Sequence, residues 1–312
     1  MVTGGVESGF ARVSAKLTRG TLSSRAGWAP INVEEHTIEV AGAPVFYRSA
    51  SATGAPAPGT PVTGATALYL HSVPTSSDDW IGFLKRGGGL APDLVGFGRS
   101  SKAGNLDYSL GGYVEFVDRF LAAVEVDRIV LAGHGWGAAI ALAFAKRHPE
   151  RVLRLAIIDA VPLLPGFRWP AMARWWRRPV LGELLMGSVN RWLLARALRA
   201  GAVRPDAWPD ARIHEVFEQF DQGTQRAILR LHRSIDEAGL GLVGTDLERI
   251  DQPALVVWGE RDPWLAPSFA DVYARRLPGS TAARVPDAGH WPWLDQPAVI
   301  EQVTSFLAGP PA

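Results

Sequence analysis

The stretch RIVLAGHGWGAAIALAFAKR, residues 128–147, decides the fold. Its first five residues have the pattern of a short buried strand, and Ala138 to Arg147 predict a helix rich in small residues that can pack closely on a sheet. The glycines between them predict a tight strand–turn–helix connection. In such a turn, of the form G-x-Nuc-x-G, the middle residue holds a reactive side chain above the sheet. The middle residue here is Gly135, so the scaffold is present without its reactive atom.

Two other interpretations of this segment stay open. A G-x-G-x-G run can also bind phosphate through backbone N–H groups. This is disfavoured, because the spacing differs from G-x-G-x-x-G, bulky Trp136 lies in the loop, and no acidic ribose partner follows at the expected distance. Alternatively, Gly135 simply relaxes a turn that Asp or Ser would hold under roughly 1–3 kcal/mol of strain, since glycine adopts positive φ at the least cost.

Composition limits the class of protein. The chain has 312 residues, 47% of them hydrophobic and 20% charged, which suits one large α/β domain with an insertion. A net charge of +1 gives no general attraction for nucleic acid or an anionic membrane, and the absence of cysteine excludes disulfides, thiolate catalysis and cysteine-based zinc sites. No apolar run is long enough to span a bilayer, and no secretory signal is visible. We therefore expect a cytoplasmic protein without nucleic-acid or membrane partners.

The chain divides into segments of different composition. Residues 1–35, in which glycine, serine and basic residues are mixed without steady periodicity, predict an N-terminal tail. Residues 36–48 alternate in polarity around Gly42, which predicts a β-hairpin. Residues 54–64 are rich in Pro, Gly and Thr and predict a loop.

Beyond the loop, apolar runs alternate with helical segments, which is the βαβ pattern of a mostly parallel sheet. The predicted strands are Thr66–Leu70, Gly89–Leu94, Arg128–Gly133, Arg154–Asp159, Pro253–Gly259 and Thr281–Val285. About ninety residues separate Asp159 from Asp251, far more than an ordinary crossover. This interval predicts a helical cap at 161–246, inserted into a sheet domain made of 36–160 and 247–312.

Five motifs, in this order, carry a family resemblance. They are His71-Ser72-Val73-Pro74, Asp93-Leu-Val-Gly-Phe-Gly-Arg-Ser100, Gly133-His-Gly-Trp-Gly137, Trp258-Gly-Glu-Arg-Asp262-Pro and Ala288-Gly-His290-Trp. Together they resemble the α/β-hydrolase superfamily, and within it the branch of haloalkane dehalogenases and epoxide hydrolases. The resemblance implies an α/β-hydrolase fold: a mostly parallel eight-stranded sheet with an inserted helical cap. It also implies hydrolysis of a C–halide, epoxide or ester bond in a small, largely apolar substrate, without a metal or cofactor.

Two residues depart from the family pattern. Ser72 replaces the glycine of the H-G-x-P turn, where it can tighten the loop or lend a hydroxyl. Gly135 replaces the aspartate that in this branch attacks a substrate carbon to form an ester, which a histidine-activated water then cleaves. Glycine cannot perform the first step. The resemblance therefore implies either an inactivated hydrolase or chemistry in which a histidine and an acid act as a general base.

The resemblance also assigns roles to the remaining site residues. His290 is the expected general base, and Asp262 is the carboxylate that orients it. Asp159, at the end of an earlier strand, is the alternative acid. The backbone N–H groups of Val73 and Trp136 are the expected oxyanion or halide donors, with the Trp136 indole as a further donor. The other predicted substrate-binding residues are His71, Trp169 and Trp175.

The composition of the cap bears on the reaction. Epoxide hydrolases of this branch protonate the ring oxygen with cap tyrosines, and none of the five tyrosines lies in 161–246. His214 and His232 are expected to be solvated helix residues. Three functions remain: an enzyme of hydrolase ancestry, a non-catalytic protein that binds a small molecule, and a structural or interaction protein. A pure binder has no chemical need for a carboxylate–histidine pair, which favours the enzyme.

Overall fold

The structure, a computed structural model, describes residues 32–51 and 65–309. Eight strands of this part form one sheet in the order β1-β2-β4-β3-β5-β6-β7-β8. Their bounds are β1 Val33–Val40, β2 Ala43–Ala50, β3 Thr66–Leu70, β4 Gly89–Pro92, β5 Ile129–His134, β6 Val152–Ile158, β7 Ala254–Gly259 and β8 Ser280–Val285. β2 is antiparallel to β1 and β4, whereas the other pairs are parallel. The predicted α/β class with a mostly parallel eight-stranded sheet is confirmed.

Helices cover the sheet and form the insertion. They are α1 Ile81–Gly87, α2 Leu110–Ala123, α3 Trp136–Arg147, α4 Ala171–Trp176, α5 Leu181–Gly187, α6 Arg191–Ala200, α7 Asp210–Gln219, α8 Gln222–Ser234, α9 Glu237–Val243, α10 Ser268–Arg276, α11 Pro292–Asp295 and α12 Ala298–Ala308. Helices α4 to α9 lie between β6 and β7, within the predicted 161–246. In the described part of the chain, no helix is both long and apolar enough to cross a membrane.

The first strand begins earlier than the sequence pattern predicts. It starts at Val33 rather than His36, because Glu35 pairs in register with Arg48 of β2 and their side chains form an ion pair of 2.7 Å. Three residues of the predicted tail are therefore strand. The remainder of that tail up to residue 31, and the predicted loop 54–64, lie outside the described residues.

The connection between β5 and α3 explains why small residues occur there. All six residues of β5 are buried, as expected for a strand covered on both faces. A Cβ atom on Gly137 would lie 2.1 Å from the carbonyl oxygen of Leu70 in β3, so only glycine lets the helix approach the sheet this closely. In register, Leu70 pairs with Gly133, and Gly133 pairs with Ile157 of β6. Residues that follow these parallel strands therefore meet at one edge of the sheet.

Candidate active site

Gly135 forms the turn between β5 and α3 at this edge. Its φ of 51° and ψ of −113° lie in a region that favours glycine. A Cβ atom built on Gly135 would lie 2.2 Å from Oγ and 2.8 Å from Cβ of Ser72, closer than non-bonded atoms approach. The same point is 3.6 Å from Nε2 of His290. The space in which an elbow side chain would begin is therefore next to the predicted base and already filled by Ser72.

His290 and Asp262 form a buried pair on the loops that follow β8 and β7. Nδ1 of His290 and Oδ2 of Asp262 are 2.7 Å apart, and the two side chains are 7% and 0% exposed. Oδ1 of the same carboxylate accepts the backbone N–H groups of Trp264 and Leu265 at 2.8 and 3.0 Å. Because these bonds fix the carboxylate, Nδ1 of His290 is the protonated nitrogen and Nε2 faces the turn at Gly135. The structure thus brings the predicted base and acid together.

Asp159 follows β6 and lies beside this pair. One ligand atom from each of Asp159, Asp262 and His290 falls within 4.8 Å of the others. Oδ1 of Asp159 accepts the N–H of Gly259 at 3.0 Å, and Oδ2 has no partner among the described residues. Burial, reinforced by the charge of Asp262, raises the pKa of Asp159 well above its usual value. The raised pKa favours the neutral form of Asp159, whereas Asp262 is the acid that makes the 2.7 Å bond to His290.

His71 and Thr75 hold the backbone of Ser72. Nε2 of His71 accepts the N–H of Leu94 at 2.8 Å, so Nδ1 carries the hydrogen and donates it to the carbonyl oxygen of Ser72 at 2.8 Å. The Thr75 hydroxyl donates to the same carbonyl at 3.1 Å. Both ring nitrogens of His71 are thus engaged by backbone groups. This corrects the predicted substrate contact of His71: its ring positions Ser72.

Trp136 lies beneath aromatic residues of the cap. Its backbone N–H donates to Oγ of Ser72 at 3.1 Å, and its indole N–H is directed to Nε2 of His232 at 3.4 Å. The indole also stacks on Trp169, with ring centroids 5.7 Å apart. His232 donates from Nδ1 to the carbonyl of Ile228, and burial lowers its pKa to about 4. The His232 ring is therefore neutral at pH 7, with Nε2 as an acceptor.

The cap differs from the sequence-based expectation at two residues. His232 is buried rather than solvated, because it lies on the face of α8 that packs over Trp136. Trp175, a predicted substrate contact, is 46% exposed, with the guanidinium of Arg178 4.8 Å above its ring, so the structure does not bring it to the site. Trp169 does reach the site. Val73 is half-buried and directly follows Ser72.

His134 is a site residue that the sequence reasoning missed. It precedes Gly135 in the turn, and its buried ring donates from Nε2 to the backbone carbonyl of His290 at 2.7 Å. Burial lowers the pKa of His134 well below its usual value, so the ring is a neutral donor. Its position in the motif, directly before Gly135, could have indicated this role, because the turn lies at the same sheet edge as the loop of His290.

Asp295 in α11 ties the loop of His290 to the cap, and no sequence signal pointed to it. Its carboxylate accepts the N–H of Gly289 at 2.8 Å from the core, and those of Val203 and Arg204 at 3.0 and 2.7 Å from the cap. The partners are backbone groups, and two of them are about ninety residues away in sequence, so side-chain patterns do not reveal the contact.

Two surface clefts, of about 260 and 360 Å³, lie away from these residues. The smaller is lined by residues that include Ser49, Ala67 and Gly88, and the larger by residues that include Leu110, Arg147 and Ile235. The dyad itself is buried beneath the cap. Neither of these two clefts is lined by His290 or Asp262.

Known proteins that are similar to this chain have the alpha/beta hydrolase fold or are haloalkane dehalogenases. The family model of the alpha/beta hydrolase fold matches residues 68–297. A haloalkane dehalogenase from Mesorhizobium japonicum is 35% identical over 155 residues, a match that covers 44% of this chain and 49% of that protein. A haloalkane dehalogenase from Mycolicibacterium paratuberculosis is 30% identical over 270 residues, covering 79% and 84% of the two chains. The crystal structure of wild-type Cfl2 from Burkholderia cenocepacia is similar with a TM-score of 0.74 and 25% identity, covering 88% and 96%.

Proposed function

Because the chain belongs to the alpha/beta hydrolase fold family, in its haloalkane dehalogenase-like branch, we propose that it hydrolyses a small, largely apolar substrate with His290 and Asp262 as the general-base pair. The observation that supports this most is the buried 2.7 Å bond between the two side chains, with Nε2 of His290 3.6 Å from the Cβ position of Gly135. A base that is fixed by a carboxylate and directed at an elbow turn is arranged for proton transfer to and from a reacting group.

The proposed chemistry follows from the state of each nitrogen. Nδ1 of His290 is bound to Asp262, so Nε2 takes the proton of an attacking oxygen. The negative charge of Asp262 stabilises the imidazolium that forms. Negative charge that develops on the substrate would be received by the backbone N–H of Val73 and, once it is released from Oγ of Ser72, by that of Trp136 at the positive end of α3.

The surroundings support an apolar substrate. Trp136 and Trp169 stack on each other, and Phe167 packs edge-on against Trp169 with centroids 5.0 Å apart. Trp136 lies next to the elbow, Phe167 and Trp169 belong to the cap above it, and all three side chains are buried. Apolar, aromatic walls with few polar groups are typical of sites for small molecules.

A panel of three bond classes tests the proposal. Purified protein is assayed with p-nitrophenyl butyrate, 1-bromobutane and 1,2-epoxyhexane, and binding of each compound is measured in parallel by calorimetry. We expect turnover of at least one class, at about 10³-fold or more above the uncatalysed rate, because enzymes commonly exceed this acceleration. Saturable binding without turnover would contradict the proposal and favour a non-catalytic small-molecule-binding protein on a hydrolase scaffold.

A further inference from the structure

The two departures from the family pattern, Ser72 and Gly135, lie against each other in space. Oγ of Ser72 is 2.2 Å from the position of a Cβ on Gly135, so with this backbone a side chain at position 135 would require Ser72 to shift. Position 135 has no reactive atom, and position 72 places a hydroxyl in the space that this absence leaves. The oxygen missing from one loop is thus present on the neighbouring one.

The hydroxyl of Ser72 and the base of the dyad both approach the same point, the Cβ position of Gly135. The Cβ position of Gly135 is within 3.6 Å of both Oγ of Ser72 and Nε2 of His290. Nδ1 of His290 is used by Asp262, so Nε2 is the nitrogen with the free lone pair. Within residues 65–309, where both side chains lie, no hydrogen bond joins Oγ to Nε2. Catalytic hydrogen bonds of this kind often tighten only when a substrate is bound.

Ser72 is also held and polarised as a nucleophile needs to be. Ser72 is only 3% exposed, and hydrogen bonds from His71 and Thr75 fix its carbonyl oxygen. Oγ accepts the N–H of Trp136, the first residue of the twelve-residue helix α3. A donor at the positive end of a helix favours negative charge on that oxygen, while the hydroxyl hydrogen remains available for donation.

We propose that Ser72 is the nucleophile of this site and that the substrate is a carboxylic ester, an inference that rests on the proposed general-base role of His290. Oγ of Ser72 bonds to the carbonyl carbon while its proton passes to Nε2 of His290. The bond from that carbon to the alcohol oxygen then breaks, and the alcohol leaves with the proton. Water adds to the acyl–Ser72 ester and gives a proton to Nε2. The bond from the carbonyl carbon to Oγ then breaks, the acid leaves, and the proton returns to Oγ.

The choice of ester follows from the chemistry of the attacking oxygen. A carboxylate that displaces a halide gives an ester, which water can cleave at the carbonyl carbon. A serine that displaces a halide gives an ether, which has no carbonyl and would trap the enzyme after one event. The Trp136 indole N–H, a predicted halide donor, is moreover directed to Nε2 of His232. Both observations favour acyl transfer over dehalogenation.

A fluorophosphonate probe tests the assignment independently of the natural substrate. An alkyl fluorophosphonate forms an Oγ–P bond with an activated serine and releases fluoride. The wild-type protein, Ser72→Ala and the exposed cap control Ser188→Ala are incubated with the probe, and the modified peptide is identified by mass spectrometry. Hydrolysis of p-nitrophenyl butyrate is measured for the same proteins. We expect phosphonylation at Ser72 in the wild type and in Ser188→Ala, and none at this position in Ser72→Ala. We also expect Ser72→Ala to hydrolyse the ester at least about 10³-fold more slowly than wild type.

The outcomes separate the two proposals. A folded wild-type protein that is not labelled at Ser72 overturns the nucleophile assignment. The assignment is also overturned if Ser72→Ala hydrolyses the ester within about tenfold of wild type while His290→Gln is inactive. That result would mean that His290 activates water directly. If hydrolysis is unchanged in both Ser72→Ala and His290→Gln, the general-base role fails as well.

Discussion

Replacing Asp262 by asparagine is expected to lower kcat for the best substrate about 10⁴-fold, the loss typical of a neutralised orienting acid. Asparagine keeps the shape of the side chain but removes the charge that stabilises the imidazolium of His290. Its amide nitrogen would also disfavour a hydrogen on Nδ1, leaving the wrong ring nitrogen free. Steady-state kinetics, with thermal unfolding as a check that the variant is folded, measures the effect.

Asp159→Asn is the matched control, because Asp159 is buried beside the same pair. We expect less than about a tenfold loss of kcat, since the raised pKa of Asp159 favours its neutral form, which asparagine resembles. Asparagine also keeps an acceptor for the N–H of Gly259. A large loss in Asp159→Asn together with a small one in Asp262→Asn would transfer the orienting role to Asp159.

Introducing an aspartate at the elbow is expected to destabilise the protein strongly. Gly135→Asp should lower the free energy of unfolding by about 3 kcal/mol or more, because strain at positive φ and overpacking each cost about 1–3 kcal/mol. The overlap is specific: the new Cβ would lie 2.2 Å from Oγ of Ser72. Adding Ser72→Gly should relieve it and recover at least about 1 kcal/mol relative to Gly135→Asp alone.

Urea denaturation of the wild type, both single variants and the double variant gives the coupling between the two positions. The spatial overlap predicts that the double variant is more stable than the sum of the single effects allows. Effects that add within about 0.5 kcal/mol would show that Ser72 and a side chain at position 135 do not compete for the same space.

The sequence predicted the sheet well because buried parallel strands are continuous apolar runs that need no partner to be recognised. Thr66–Leu70 matches the predicted strand, and β5 and β7 match within one residue. The resemblance of the motifs to a known family likewise implied that His290 and Asp262 lie together, on loops that follow parallel strands. These features depend on local pattern and on the rule that loops after parallel strands share an edge.

Other features depend on contacts that no local pattern contains. The overlap of Ser72 with the side-chain space of Gly135 arises from the register of β3 against β5, which sets how close the two loops approach. His232 lies in a helix rich in arginine, and its burial follows from the way α8 packs over Trp136. Trp175 was predicted as a substrate contact from its type and its place in the cap, but in the structure its side chain is 46% exposed.

The most direct measurement of the proposed function is the ratio of kcat/KM between wild type and His290→Gln on the best substrate of the panel. His214→Gln, the same substitution at a cap histidine whose side chain is 60% exposed, is the control. General-base action by His290 predicts a loss of about 10³-fold or more in His290→Gln and a value within about twofold of wild type in His214→Gln. A folded His290→Gln protein that also hydrolyses the substrate within about twofold of wild type would contradict the account.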